Sequence, residues 1–284
     1  MITLKSNELT AIISEKGAEI QSVKSNNGTE FMWCGDEKVW SGRAPILFPI
    51  CGKLKEDRFE YNGKEYSLPI HGFASTSEFF VEYSDDTKAV FLLKSNKETL
   101  ACYPFEFEFR VIFELKSNEL TVTYNVQNKT DGEMLFSVGG HEAYSCPEGI
   151  EEYDVIFEKY ETLNSHFVEG DIISRDTISI LENKNILPLK KKFFETDALI
   201  FFEIASRKAT LKQRNGSRRI ELSFPNHEFF LIWTKPEGNY ICLEPCCGVG
   251  DIVGSDYNLS NKKGIHKLNK SEEFNAVHTI KFSE

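Results

Sequence analysis

Hydrophobic and polar positions alternate along most of this chain with a period of two. The clearest run is YPFEFEFRVIFELKSNELTVTYNVQN, in which Phe105, Phe107, Phe109, Val111 and Phe113 alternate with Glu106, Glu108, Arg110, Ile112 and Glu114. A period of two places one set of side chains on one face of a strand, whereas a helix would need a period of 3.6. After the turn-like tetrapeptide KSNE, Leu120, Val122, Tyr124 and Val126 alternate with Thr121, Thr123, Asn125 and Gln127, so the unit predicts a long antiparallel hairpin. RFEYNGKEYSL predicts a smaller hairpin around Asn62-Gly63, a pair that tolerates positive φ, and FFLIWTKPEGNYICLE predicts another around KPEGN.

Turn signals recur about every ten residues, and helical periodicity is confined to a possible short turn at NKETLACY. The expected fold class is all-β, a large antiparallel β-sandwich. No linker, composition break or low-complexity segment divides the chain, so residues 1–284 are expected to form a single domain. A composition 40% hydrophobic and 13% aromatic, with 23 Phe, is sufficient for a large core.

Charge narrows the choice of partner. A formal net charge of −11 and the lack of a basic stripe argue against nucleic acid, because phosphate binding needs a concentrated positive footprint. LKKKF at 189–193 is followed by Glu195 and Asp197, and is expected to be a solvated loop or edge strand. No stretch approaches the apolar length of a membrane span, and the N-terminus lacks a leader pattern. A cytoplasmic protein, with no membrane partner, is therefore expected. The seven cysteines form no compact disulfide framework. Cys242, Cys246 and Cys247 have no second cluster at metal-ligand spacing, so they are expected to be small buried residues and not ligands. Neither a glycine-rich dinucleotide motif nor a phosphate loop occurs, and no cofactor is expected.

Candidate chemistry lies at strand ends. LFSVGGHEAY runs as an apolar strand into Gly139-Gly140 and then presents His141; paired glycines allow close approach by a backbone or a ligand. In YICLEP, Ile241 and Leu243 point to one face while Tyr240, Cys242 and Glu244 point to the other, and Pro245 is expected to end the ladder. His71 follows a strand-like run in EYSLPIHGF, where a turn alone would need no imidazole. Their wide separation in sequence imposes no spatial relation on the three. The pattern alone supports a β-sandwich with a histidine and carboxylate site.

Six motifs in order, RAPILFPICGKL, YSLPIHGFA, ACYPFEFEF, VGGHEAY, TDALIFFE and ICLEPCCG, resemble the aldose 1-epimerase (galactose mutarotase) family, in particular its LacX-like branch, over nearly the whole chain. The resemblance implies a β-sandwich that binds a free sugar in a groove on one sheet and interconverts its α and β anomers without a cofactor or metal. It implies that Glu244 is the general base at the C1 hydroxyl and His141 the general acid at the ring oxygen. His71 would hydrogen-bond the sugar near that oxygen, and Asp197 would grip its hydroxyls. Lys53 stands where much of the family has arginine, which keeps the charge but loses the planar fork. Ser75 stands where related sequences often have another arginine, and Arg43 is a candidate to supply positive charge instead. The alternatives are a sugar-binding or regulatory protein without turnover and an epimerase of hexose 6-phosphates. The expected partner is a small sugar, with the chain acting as a monomer or homodimer.

Overall fold

The computed structural model describes residues 1–284. The 105–128 pattern becomes the strands Phe107–Lys116 and Glu119–Asn128, whose alternate residues are buried throughout. Ser117 and Asn118 join them, with Ser117 at φ 52°. The smaller hairpin pairs Arg58–Tyr61 with Lys64–Ser67. Asn62 and Gly63 both take positive φ there, 51° and 71°, which matches the right-handed twist of the flanking strands. The one α-helix, Lys97–Cys102, starts at Asn96, whose side chain accepts hydrogen bonds from the Glu98 and Thr99 amides while Thr99 accepts from the Asn96 amide.

A fifteen-stranded antiparallel sheet dominates the molecule. Its path begins at Ile46–Leu47, passes through Gly139–Gly140, Tyr240–Cys246, Phe229–Trp233 and Leu199–Phe201, and continues past Glu273–Ser283 to the 107–128 hairpin and Phe80–Ser84. The sheet folds back on itself. Phe48 from its first part stacks on Phe109 from its last at 4.4 Å, and Phe31 meets Phe282 at 5.1 Å. A cluster of 65 buried residues fills the space between, and each fully buried large apolar side chain contributes on the order of 1.5–3 kcal/mol. This is the expected sandwich. No helix is long and apolar enough to cross a membrane.

Two local expectations are corrected. LKKKF is neither a loop nor an edge strand: Lys191–Phe194 forms a 3-10 turn that buries Phe194 and leaves its lysines outside. Pro245 does not end its strand, which continues to Cys246 and pairs with Phe229–Trp233 on one side. Cys247, two residues further on, donates its amide to the Val138 carbonyl, so the Pro245 nitrogen turns towards the same neighbour. That neighbour is interrupted between Gly139–Gly140 and Glu142–Ser145, where no donor is required.

Two chain segments converge on this interruption. One is the turn holding His71 at φ 65° and Gly72 at φ 73°. The other carries Gly52 at φ 72°, where an added Cβ would lie 2.5 Å from the Gly250 backbone. The Gly52 carbonyl accepts the His71 amide at 2.9 Å. Because the glycine is required both by its φ and by the approach of Gly250, Gly52→Ala is expected to destabilise the fold by about 1–3 kcal/mol. Urea denaturation measures this, and an unchanged midpoint would show that the 52–71 contact is not under this constraint.

Candidate functional site

The pairs Gly139 with Cys246 and Glu142 with Leu243 share one register, which sets His141 directly opposite Glu244 across the interrupted ladder. Directly opposite residues of an antiparallel pair project to the same face. The His141 Nε2 and Glu244 Oε1 atoms lie 3.4 Å apart, with side-chain exposures of 10% and 3%. Two residues far apart in sequence thus become one acid-base pair.

His71 reaches the pair from the neighbouring turn. Its ring stands perpendicular to that of His141 at 5.6 Å. Its Nδ1 accepts the Gly52 amide at 3.1 Å, which leaves the neutral ring's proton on Nε2. The strained turn therefore serves to hold one tautomer in one orientation.

Aromatic rings complete the surroundings. Trp40 lies 5.2 Å from His141 and stacks on Tyr240 at 5.4 Å, while Trp233 meets the His141 ring edge-on at 5.4 Å. Trp40, Trp233, His141 and Glu244 line a cavity of about 1050 Å³, together with His71, Asp197, Lys53 and Ser75. Asp197 accepts the Ala198 amide at 2.8 Å with one carboxylate oxygen. The tip of the long hairpin formed by Tyr153–Glu169 and Ile172–Pro188 supplies Gly170 and Asp171 to the rim. This tip is pinned where Ile173 donates to the Asp251 carbonyl and accepts from Val253, both at 2.8 Å.

The cationic candidates behave differently from one another. Lys53 lines the cavity, but its ammonium is bound to Asp171 at 2.8 Å, a contact that raises its pKa. Arg43 is absent from the cavity lining: its guanidinium donates to the Gln21 carbonyl at 2.8 Å and its amide to Glu19, so it ties the strand-end segment to the N-terminal sheet. Of the formally charged lining residues, Asp57, Asp171, Asp197, Glu244 and Asp251 are acidic and Lys53 alone is basic.

Burial controls protonation at the centre. It drives the Glu244 carboxyl well above the usual range, with the nearby carboxylates Asp197 and Glu142 adding repulsion. Burial, then the charge of His71, lowers His141 to about 3; burial alone lowers His71 to about 4. Burial also raises Asp197. Burial thus disfavours the charged form of each group, the carboxylate of Glu244 and the imidazolium of His141. This differs from the ionised carboxylate and protonated imidazole that neutral-pH acid-base chemistry suggests from sequence.

Several residues were not singled out from the sequence. Trp40 and Trp233 are scattered aromatics in the linear pattern, and Asp171 is an ordinary turn residue. Glu142 alternates with His141 and so points into the sandwich, where its carboxylate meets His278 Nε2 at 2.8 Å. Alternation was the available signal: a glutamate at an inward position of an apolar strand requires a buried partner. Cys242, on the same strand face as Glu244, joins His141 and Glu244 in a group whose donor atoms all lie within 4.8 Å of one another.

The protonation pattern has a measurable effect on stability. An unfolded histidine titrates near 6.5 and an unfolded glutamate near 4.5. Since folded His71 resists protonation until about pH 4, the unfolded chain binds the extra proton as pH falls from 6.5 to 4, and stability is lost across that window. His141 and Glu244 shift in opposite directions. Their contributions to the pH dependence therefore have opposite signs and oppose each other. His71→Asn is expected to remove up to about 1.4 kcal/mol of pH dependence per pH unit between 6.5 and 4. Denaturant titrations at stepped pH measure this. Equal slopes for wild type and His71→Asn would mean that His71 is protonated in the fold.

A family model described as aldose 1-epimerase matches residues 1–281. The protein LacX of Lactococcus lactis, in its plasmid and chromosomal forms, is 30% identical over 281 residues, covering 94% of this chain and 94% of each relative. A galactose mutarotase related enzyme from Lactobacillus acidophilus superposes with a TM-score of 0.95 at 34% identity, over 99% of this chain and 96% of that one. A galactose mutarotase-like protein from Lactobacillus casei gives 0.92 at 28% identity over 99% of both chains. The family match over residues 1–281 and the relatives at 30% identity over 94% of the chain lead to one conclusion: the chain belongs to the aldose 1-epimerase family.

Proposed function

We propose that this protein interconverts the α and β anomers of a neutral aldose by acid-base ring opening and closure. The observation that carries the reading is the 3.4 Å approach of His141 Nε2 to Glu244 Oε1 in an aromatic-walled groove. A binding site without turnover has no need for a buried base beside a buried acid. Glu244 takes the proton of the C1 hydroxyl, the C1–O5 bond breaks as the C1 carbonyl forms, and His141 donates its proton to O5. Rotation about C1–C2 then presents the other carbonyl face. O5 attacks C1, its proton returns to His141, and Glu244 gives its proton to the carbonyl oxygen. Each group ends as it began.

The cycle starts from an ionised Glu244 and a protonated His141, the partition that burial disfavours, so the C1 hydroxyl and ring oxygen of a bound sugar have to stabilise it before the ring opens. His71, neutral with its proton on Nε2, is placed to donate to a sugar oxygen, and Asp197 retains acceptor capacity for hydroxyls.

Groove charge supports a neutral substrate. Lys53 is already neutralised by Asp171, Ser75 contributes no charge, and Arg43 lies elsewhere. A dianionic 6-phosphate would meet a mainly acidic wall and a chain of net charge −11.

Magnetisation-transfer NMR of anomer exchange tests the reading. Glu244→Gln is expected to fold and to lose at least about a hundredfold in rate, because an amide cannot accept the C1 proton; undiminished exchange would remove Glu244 from the mechanism. His141→Asn is expected to depress kcat, and His71→Asn to raise KM as well. Equal, purely KM effects would contradict these roles. For glucose or galactose against the matching 6-phosphate, kcat/KM should favour the neutral sugar, more so at low salt where charge is less screened. A tenfold preference for the phosphate that weakens with salt would replace this substrate assignment.

A further inference from the structure

The face that carries the acid-base pair also carries a thiol. Cys242 and Glu244 occupy alternate positions of one strand, and His141 stands opposite Glu244 on the next. Their donor atoms, one sulfur, one nitrogen and one oxygen, lie within 4.8 Å of one another, and the nitrogen-oxygen separation is 3.4 Å. Tetrahedral zinc, with bonds of about 2.0–2.3 Å, holds its ligands roughly 3.3–3.7 Å apart. One pair already meets that spacing, and the sulfur lies within 4.8 Å of both.

We propose that His141, Cys242 and Glu244 form an inhibitory zinc site, in which Zn²⁺ bound by imidazole, thiolate and carboxylate excludes sugar from the groove. The donor set selects the metal. Magnesium and calcium favour all-oxygen shells, whereas mixed sulfur, nitrogen and oxygen donors suit zinc. Charge also favours it: a dication with one thiolate and one carboxylate is neutral overall, so the buried site need not hold a net charge. Two ligands come from one strand and one from its paired neighbour, which limits the reorganisation needed. Three protein ligands leave a fourth position for water, as at open zinc sites.

The surroundings set the strength of binding. Zinc on Nε2 leaves the His141 proton on Nδ1, a buried atom with no hydrogen-bond partner. Such a ligand lacks the outer acceptor that usually orients a zinc-bound histidine, so binding should be reversible and weaker than at a structural site. His71 and Asp197 face the site from the adjoining segments and Glu142 from behind the strand. Cys246 and Cys247 take no part. The sequence offered no second cysteine cluster because the other ligands are a histidine and a carboxylate on the sugar-binding face.

The test uses Co²⁺ as a spectroscopic probe in full-length protein carrying Cys34→Ser, which removes the one exposed thiol. Metal-free protein titrated with Co²⁺ should develop a thiolate-to-cobalt charge-transfer band and tetrahedral visible bands, both lost on adding Zn²⁺. Cys242→Ser should abolish the charge-transfer band and weaken Zn²⁺ binding at least tenfold by calorimetry, while Cys246→Ser should keep both. No band in a folded protein, or an identical band in Cys242→Ser, overturns the site. If Cys242→Ser does not fold, Cys242→Ala, which fills the same small apolar space, is read in its place: loss of the charge-transfer band supports the site, and an unchanged band overturns it. Inhibition is read separately, as a Zn²⁺-dependent rise in KM for anomer exchange. If the protein shows no exchange with any aldose, the proposed function fails while the cobalt spectrum still decides whether the metal site exists; exchange unaffected by bound zinc overturns the inhibitory role.

Discussion

The pairing of the 139–145 segment with Tyr240–Cys246 is the constraint on which the site depends. One register, interrupted at a single point, sets His141 against Glu244 and turns the nitrogen of Pro245 towards the gap. A slip of the 139–145 segment by one residue would send His141 into the sandwich and bring Glu142 to the groove, leaving Glu244 without its partner. The register is held from behind. Ile241 and Leu243 belong to the main core, and Glu142 is fixed by His278 from the opposite layer. The buried polar contact and the apolar core thus specify the same alignment.

Much of the fold was legible because it depends on local periodicity. The 105–128 hairpin follows from alternating apolar residues and the 58–67 hairpin from Asn62-Gly63. Pro245 was misread for a physical reason: the cost of a missing donor depends on whether the facing strand offers an acceptor there, which is a property of another segment. LKKKF was misread because its character is set by burial of Phe194, which the lysines obscure.

The candidate site was only partly legible. Paired glycines before His141 and a glutamate at a groove-facing strand position were visible signals, and the family resemblance related them. Arg43 lay beyond such reasoning, since whether a strand-end arginine enters a groove depends on competing acceptors, here the Gln21 carbonyl and the Glu19 carboxylate around its segment. Lys53 illustrates the converse. It does line the groove, but Asp171, over a hundred residues later, takes its charge.

Desolvation links the properties of the site. The tryptophans and the buried strand that remove water from His141 and Glu244 push their pKa values in opposite directions, each away from its charged form. The acid sensitivity attributed to His71 has the same origin, without a carboxylate partner to oppose it. A more exposed pair would show weaker shifts, and with them a smaller cost for holding the carboxylate and imidazolium that acid-base chemistry at this position requires.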